Sequence, residues 1–202
     1  MTTRSELTTA FDQLLQPERF KDYGPNGLQV EGKEEVKKIV SGVTASLALI
    51  EAAIEKQADA IFVHHGLFWR GQNGRVTGWM KQRLHKLLAH DINLYAYHLP
   101  LDAHPTLGNN AQLGKLLGFT QLENGEFGRF GEQDLGWLGT CEHSRYDKLC
   151  EHISLQLNRP VTGVSSARGA INKVAWCTGG AQGYFEAAIA AGADVYITGE
   201  IS

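Results

Sequence analysis

The sequence predicts an α/β protein of two lobes, each with a sheet that contains a βαβ unit, and three observations carry that prediction. Short apolar runs alternate with stretches whose apolar residues recur every three or four positions, the signatures of strand and amphipathic helix. A polar, glycine-rich stretch, "LENGEFGRFGEQD", separates two such regions, so lobes are expected over 1–122 and 123–202. The chain also repeats itself. Moved along by 135 positions, "IEAAIEKQADAIFVHHG" lies on "FEAAIAAGADVYITGEI" without a gap. Glu51-Ala52-Ala53-Ile54 falls on Glu186-Ala187-Ala188-Ile189, and Ala58-Asp59 on Ala193-Asp194. The match predicts an internal duplication; two unrelated amphipathic βαβ units are the alternative.

Each element follows from a local pattern. "MTTRSELTTAFDQLL" reads as a helix with a Thr3/Glu6 capping box and an apolar stripe of Leu7, Phe11, Leu14 and Leu15. Ile39 to Val43 is a strand, Leu47, Ile50, Glu51 and Ile54 mark a helix, and Ala60 to Val63 is a strand running into His64. A helix between two strands implies that the strands are parallel. "WMKQRLHKLLAHD" gives the next helix, with Met80, Leu84, Leu87 and Leu88 on one face, and "INLYAYH" the next strand, ending at His98. "LPLDAHPTLGNN" reads as a loop, and "NAQLGKLLG" as a helix stopped by Gly118. In the second lobe, strands are expected at "LGWLGTCE", near Val161 and at "NKVAWCTGG", with a helix over "RYDKLCEHISLQLN".

Composition excludes several classes. The 202 residues are 43% hydrophobic and 20% charged, with a formal net charge of -3, as in an ordinary globular chain. The absence of a Lys/Arg cluster argues against nucleic-acid binding, which draws its affinity from phosphate neutralisation. A free nucleotide, needing one or two cationic groups, is compatible with it. No apolar run approaches the roughly 18 residues of a membrane span, and the first residues lack a secretory-signal pattern. Cys141, Cys150 and Cys177 form no C-x-x-C pair and are expected as reduced thiols of a cytoplasmic protein.

The chemistry concentrates at strand ends. In open α/β sheets ligands bind outside the carboxyl ends of parallel strands. Those ends carry Thr44 to Ser46, then His64-His65, then His98 with Asp102 four residues on. Neighbours within a strand face opposite ways, but at a strand end both imidazoles can turn into one crevice. Imidazole nitrogen suits zinc, iron, nickel or copper, and a carboxylate adds a hard oxygen that can bridge two ions. His64, His65 and Asp102 are therefore the expected ligands. His98 is a fourth candidate, as ligand, as hydrogen-bond partner of a ligand, or as general acid/base. His85, His90, His143 and His152 read as surface residues on helices. On the repeat, His65 falls on Glu200, so both lobes place a metal-competent side chain at the same strand end. The stretch "CTGGAQG" is either a phosphate cradle at Gly179-Gly180 or a plain tight turn. No Ser/His/Asp triad, nucleophile elbow or C-x-x-C is present, so the expected chemistry is metal chemistry.

At these residues the chain resembles a known family. "YGPNGLQVEG", "GVTAS", "VHHGLFWRG", "HLPLDAHPTLGNNAQL" and "GGAQGYFEAAIAAGADVYITGE" are similar, in the same order, to the GTP cyclohydrolase 1 type 2 homologue family, also called Nif-three-like. The resemblance implies a two-lobed α/β protein with two divalent metal ions per subunit (zinc, iron, manganese or similar), assembled as a homohexamer. It implies His64, His65 and Asp102 as ligands, with Asp102 bridging. It also implies a further helix and strand carrying a His and, four residues on, a Glu that complete the site; these lie outside this sequence, so an incomplete site is expected here. The expected function is a divalent-metal-dependent hydrolase acting on a nucleotide or related heterocycle, with His98 and Glu200 moving protons. The alternative is a non-enzymatic metal-binding ring that recruits protein partners.

Overall fold

A computed structural model describes residues 1–165 and 169–201. Its chain divides into two compact units, Met1–Leu101 and Asp102–Ser202, each with its own four-stranded sheet.

In the first unit, β1 (Thr2–Thr3) leads into α1 (Arg4–Leu15). The helix starts where the sequence places it. Thr3 Oγ1 accepts from the Glu6 N–H at 3.1 Å, and the Glu6 carboxylate accepts from the Thr3 N–H at 2.9 Å. β2 (Gly27–Val30), β3 (Glu35–Val36), β4 (Ile39–Thr44), α2 (Leu47–Glu55), β5 (Ala60–His65), α3 (Gly78–Ala89) and β6 (Asn93–Ala96) follow. The sheet runs β2-β6-β5-β4, with β4, β5 and β6 parallel and β2 antiparallel at one edge. Strand alternation then assigns the faces. Ile61, Val63 and Leu94 join Ile50, Ala53 and Leu87 under α2 and α3, while Ala60, Tyr95 and Tyr97 pack with Phe11 and Leu15 of α1. "LPLDA", expected as loop, is instead a short helix, α4 (Leu99–Ala103), and the division between units falls inside it.

The second unit contains α5 (Asn109–Leu116), β7 (Gly128–Phe130), β8 (Gly136–Gly139), α6 (Tyr146–Gln156), β9 (Val174–Cys177), α7 (Phe185–Ala190) and β10 (Val195–Thr198). Its sheet runs β10-β9-β8-β7, with β10 and β9 parallel. The sequence reading put the lobe boundary at 122/123, whereas the structure groups α5 with the second unit. The Trp176 indole N–H donates to Asn110 O at 2.9 Å, and a Cβ on Gly114 would stand 2.7 Å from the Trp176 ring, so this helix sits on β9 through a glycine contact. Two further expectations change. The glycine-rich stretch supplies a strand, β7, paired with β8. Among the described residues no strand forms near Val161, whose N–H goes to Ser154 Oγ rather than to a ladder. His143 lies outside any helix, and His152 on α6 bonds the Leu117 carbonyl at 3.0 Å rather than water alone.

The duplication is visible bond by bond. Ile39 pairs with Ala60 and Val174 with Val195, and the two ladders keep the offset of the sequence match through Gly42–Val63 and Cys177–Thr198. Asp59 Oδ2 accepts from the N–H groups of Lys37 and Lys38; Asp194 Oδ2 accepts from those of Asn172 and Lys173. Each helix ends in the same Schellman arrangement. Gln57 N–H bonds Ile54 O and Ala58 N–H bonds Ala53 O, just as Gly192 bonds Ile189 and Ala193 bonds Ala188. Among the described residues, no helix is long and apolar enough to cross a membrane.

Candidate metal centre

The site is built by the carboxyl ends of β5 and β6. His64 and His65 close β5; β6 ends at Ala96, and the chain continues through Tyr97 to His98. The three imidazoles come together. Ring centroids lie 4.4 Å apart for His64 and His65, 4.8 Å for His64 and His98, and 5.5 Å for His65 and His98. One ring nitrogen from each lies within 4.8 Å of the others, and these three form the metal-competent His/Cys/Asp/Glu group among the described residues.

The hydrogen bonds at the other ring nitrogens test whether a cation fits. His64 Nδ1 lies 3.2 Å from the Tyr97 carbonyl, His65 Nδ1 lies 3.2 Å from Thr44 Oγ1, and His98 Nδ1 lies 2.7 Å from Asp22 Oδ1. A carbonyl and a carboxylate can only accept, so His64 and His98 donate through Nδ1, and in the neutral ring Nε2 is then the lone-pair atom. The Thr44 hydroxyl can accept the third in the same way. Imidazoles oriented through Nδ1 by outer oxygens, with Nε2 as the donor atom, are the arrangement of histidine metal ligands. The donor set fits a divalent ion of the zinc or iron type.

Asp22 is the side chain the sequence reading missed. Its side chain is 2% exposed, and its oxygens accept from four donors. Oδ1 receives His98 Nδ1 and, at 2.6 Å, the Tyr23 N–H; Oδ2 receives Asn26 Nδ2 and the Leu99 N–H, each at 2.9 Å. Burial works to raise its pKa, but the bond from His98, then those from Asn26, Leu99 and Tyr23, outweigh burial and bring it down to about 2. The Trp69 ring stands edge-on to His98 at 5.1 Å and 5.9 Å from His65, walling one side of the cluster. Tyr23 adds a second ring 6.3 Å from His98.

The remaining expected site residues belong to the second unit. Asp102 Oδ1 accepts from Asn109 Nδ2 at 2.8 Å and from Thr178 Oγ1 at 3.4 Å, which places it at the carboxyl end of β9. Its negative charge and burial both act on Cys177: burial first, then Asp102, push that thiol up to about 12. Glu200 follows β10, and its carboxylate lies against Gly180, 3.1 Å from where a Cβ would stand. Gly179 has a positive φ of 77° and accepts the Gly199 N–H. A carboxylate over this turn disfavours an anion there, so the tight-turn reading holds against the phosphate cradle.

Comparison with known proteins converges on one group. The model of the Duf34/NIF3 (NGG1p interacting factor 3) family matches residues 2–202. A protein of Neisseria meningitidis serogroup A named GTP cyclohydrolase 1 type 2 homolog is 50% identical over 203 residues, covering 100% of this chain and 80% of its own. One of the same name from Allochromatium vinosum is 48% identical, with 100% and 78% covered. Among solved structures, a structural-genomics protein called ybgI, described as of unknown function, superposes with a TM-score of 0.89 at 44% identity, covering 100% of this chain and 79% of that one. The protein TTHA1606 of Thermus thermophilus superposes with a TM-score of 0.76 at 31% identity, with 100% and 79% covered.

Proposed function

We propose, from a chain that belongs to the Duf34/NIF3 family and gathers three imidazoles at one sheet edge, a divalent-metal-dependent hydrolase acting on a nucleotide or related heterocycle. The observation that carries the reading is the shared orientation of His64, His65 and His98, each tied outward through Nδ1. The nucleotide half of the proposal draws on the relatives' name, GTP cyclohydrolase 1 type 2 homolog.

His64, His65 and His98 would hold the ion. A divalent cation supplies Lewis acidity and lowers the pKa of water to near neutrality. The chain's own groups do the rest. The Tyr97 carbonyl, the Thr44 hydroxyl and the Asp22 carboxylate fix the three rings, so that their lone pairs need no reorientation. Trp69 screens one flank from water. In this reading Asp102 would add a carboxylate ligand, and Glu200 would accept a proton. A homohexamer belongs to the same proposal and is read by sedimentation equilibrium.

The test is metal content by elemental analysis together with hydrolysis of a nucleotide panel that includes GTP. The reading expects bound zinc or iron and turnover in the unsubstituted protein, at least a roughly 100-fold loss of metal affinity in His65→Ala, and lost turnover with retained metal in Glu200→Gln. Tight metal binding with every nucleotide left intact would instead favour a metal-binding protein that recruits partners, as the name NGG1p interacting factor suggests for the family.

A further inference from the structure

The segment Asp22–Asn26 reaches the cluster because of strand topology. β2 runs antiparallel to β6 with Gly27 opposite Ala96. Residues just before Gly27 therefore lie beside residues just after Ala96, which are Tyr97, His98 and Leu99. Two side chains of this segment then grip the same stretch of backbone. Asn26 Oδ1 accepts the His98 N–H at 2.7 Å, and Asp22 Oδ2 accepts the Leu99 N–H at 2.9 Å. Leu99 opens α4, so the carboxylate also satisfies an N–H at the start of that helix, where such groups lack an intrahelical acceptor. The remaining oxygen of Asp22 takes the His98 ring. One buried carboxylate thus holds both the ring of His98 and the first residue of α4.

We propose that Asp22 is the positioning residue of the metal centre: by accepting the Nδ1 proton of His98 it commits that ring to present Nε2 as a ligand lone pair. This rests on the metal reading of the histidine cluster, and the experiment separates the two. Nothing in the residue type alone assigns the role. Its partner His98 is 76 residues away, and the bond exists through the β2–β6 pairing.

The substitution Asp22→Asn makes a sharp prediction because every atom facing the carboxylate is a donor. An amide must turn its NH2 towards one pair of them. On the Oδ2 side both donors are committed, Leu99 by its backbone and Asn26 by its own bond to the His98 N–H. On the Oδ1 side only the Tyr23 N–H is committed, and the imidazole can answer by moving its proton from Nδ1 to Nε2. The isosteric change therefore inverts the His98 tautomer and removes its lone pair from the cluster.

The measurement is two-bond 1H–15N NMR of histidine-labelled, metal-free full chain above the imidazole titration range, followed by Zn2+ titration. The unsubstituted protein should show His98 protonated at Nδ1. D22N should show it protonated at Nε2, with Zn2+ affinity lower by about 10- to 100-fold and a near-normal urea midpoint. An Nε2–H tautomer in the unsubstituted protein overturns the proposal, and this result needs no variant to fold. So does a D22N protein that keeps the Nδ1–H tautomer and the parent's Zn2+ affinity. If the tautomer inverts but the unsubstituted protein binds no Zn2+, the metal reading fails while the positioning of His98 by Asp22 stands.

Discussion

The two βαβ copies, residues 39–65 and 174–200, share ladder register, Asp bracket and helix stop, yet they are buried differently and end in different chemistry. β5 lies inside its sheet, between β4 and β6, whereas among the described residues β10 forms an edge. The helices follow suit. Ile50 of α2 is 0% exposed, and Phe185, its counterpart on α7, is 58% exposed. The strand ends diverge too: His64-His65 in the first copy, Gly199-Glu200 in the second. Backbone bonds and caps thus persist in both copies, because their partners lie within one βαβ unit, at most 22 positions apart. Apolar cover and functional ends vary, because each depends on what else packs against the copy.

The largest test of this contrast is truncation of the helix anchors. Ile50→Ala should cost about 2–5 kcal/mol, as an aliphatic side chain removed from a packed core does. Phe185→Ala should shift stability by about 1 kcal/mol or less, because little of that ring leaves water on folding. Urea unfolding of the two variants checks the ratio; equal losses would mean that α7 is covered as α2 is.

The Asp brackets offer a sharper comparison. Asp59→Asn and Asp194→Asn should each lose about 1–3 kcal/mol, since backbone N–H groups then face a weaker or misdirected acceptor. Asp59 should cost more, because it also pairs with Lys33 at 2.8 Å. Burial works to raise the Asp59 pKa, but Lys33 and the N–H groups of Lys37 and Lys38 override it and hold the carboxyl below its ordinary value. A depressed carboxylate stabilises the fold above its unfolded pKa and loses that contribution as pH falls through the folded value. Urea midpoints measured from neutral to acid pH should therefore fall less steeply in Asp59→Asn than in the parent.

The smallest effect concerns the helix stops. Gln57 and Gly192 hold the same left-handed position, with φ of 54° and 80°. Gln57→Gly should stabilise by up to about 1 kcal/mol and Gly192→Ala destabilise by about as much, because a Cβ is strained at positive φ. Thermal midpoints moving in the same direction would break the equivalence of the two stops.

Much of this protein is legible in its sequence because the determining contacts are local. The Thr3/Glu6 capping box and the periods of α2 and α3 follow from neighbours within one or two turns, and the parallel strands around His64-His65 from the one helix that joins them. The repeat is equally local, which is why an ungapped match foretold a shared hydrogen-bond pattern. The failures are non-local. Val161 has strand-like character but no ladder, and β7 forms in glycine-rich sequence because β8 is there to pair with it. α5 joins the second unit through the fit of Gly114 to Trp176, two residues 62 positions apart in a chain whose local pattern is silent on the contact. The site divides in the same way. The sequence by itself determined that two histidines would end a buried strand, since an apolar run followed by polar residues at the carboxyl edge is written in adjacent positions. Only the tertiary structure decided that His98 joins them and that Asp22 sets its tautomer, because an antiparallel pairing of β2 with β6 must form before a carboxylate and an imidazole so distant in the chain can share a proton.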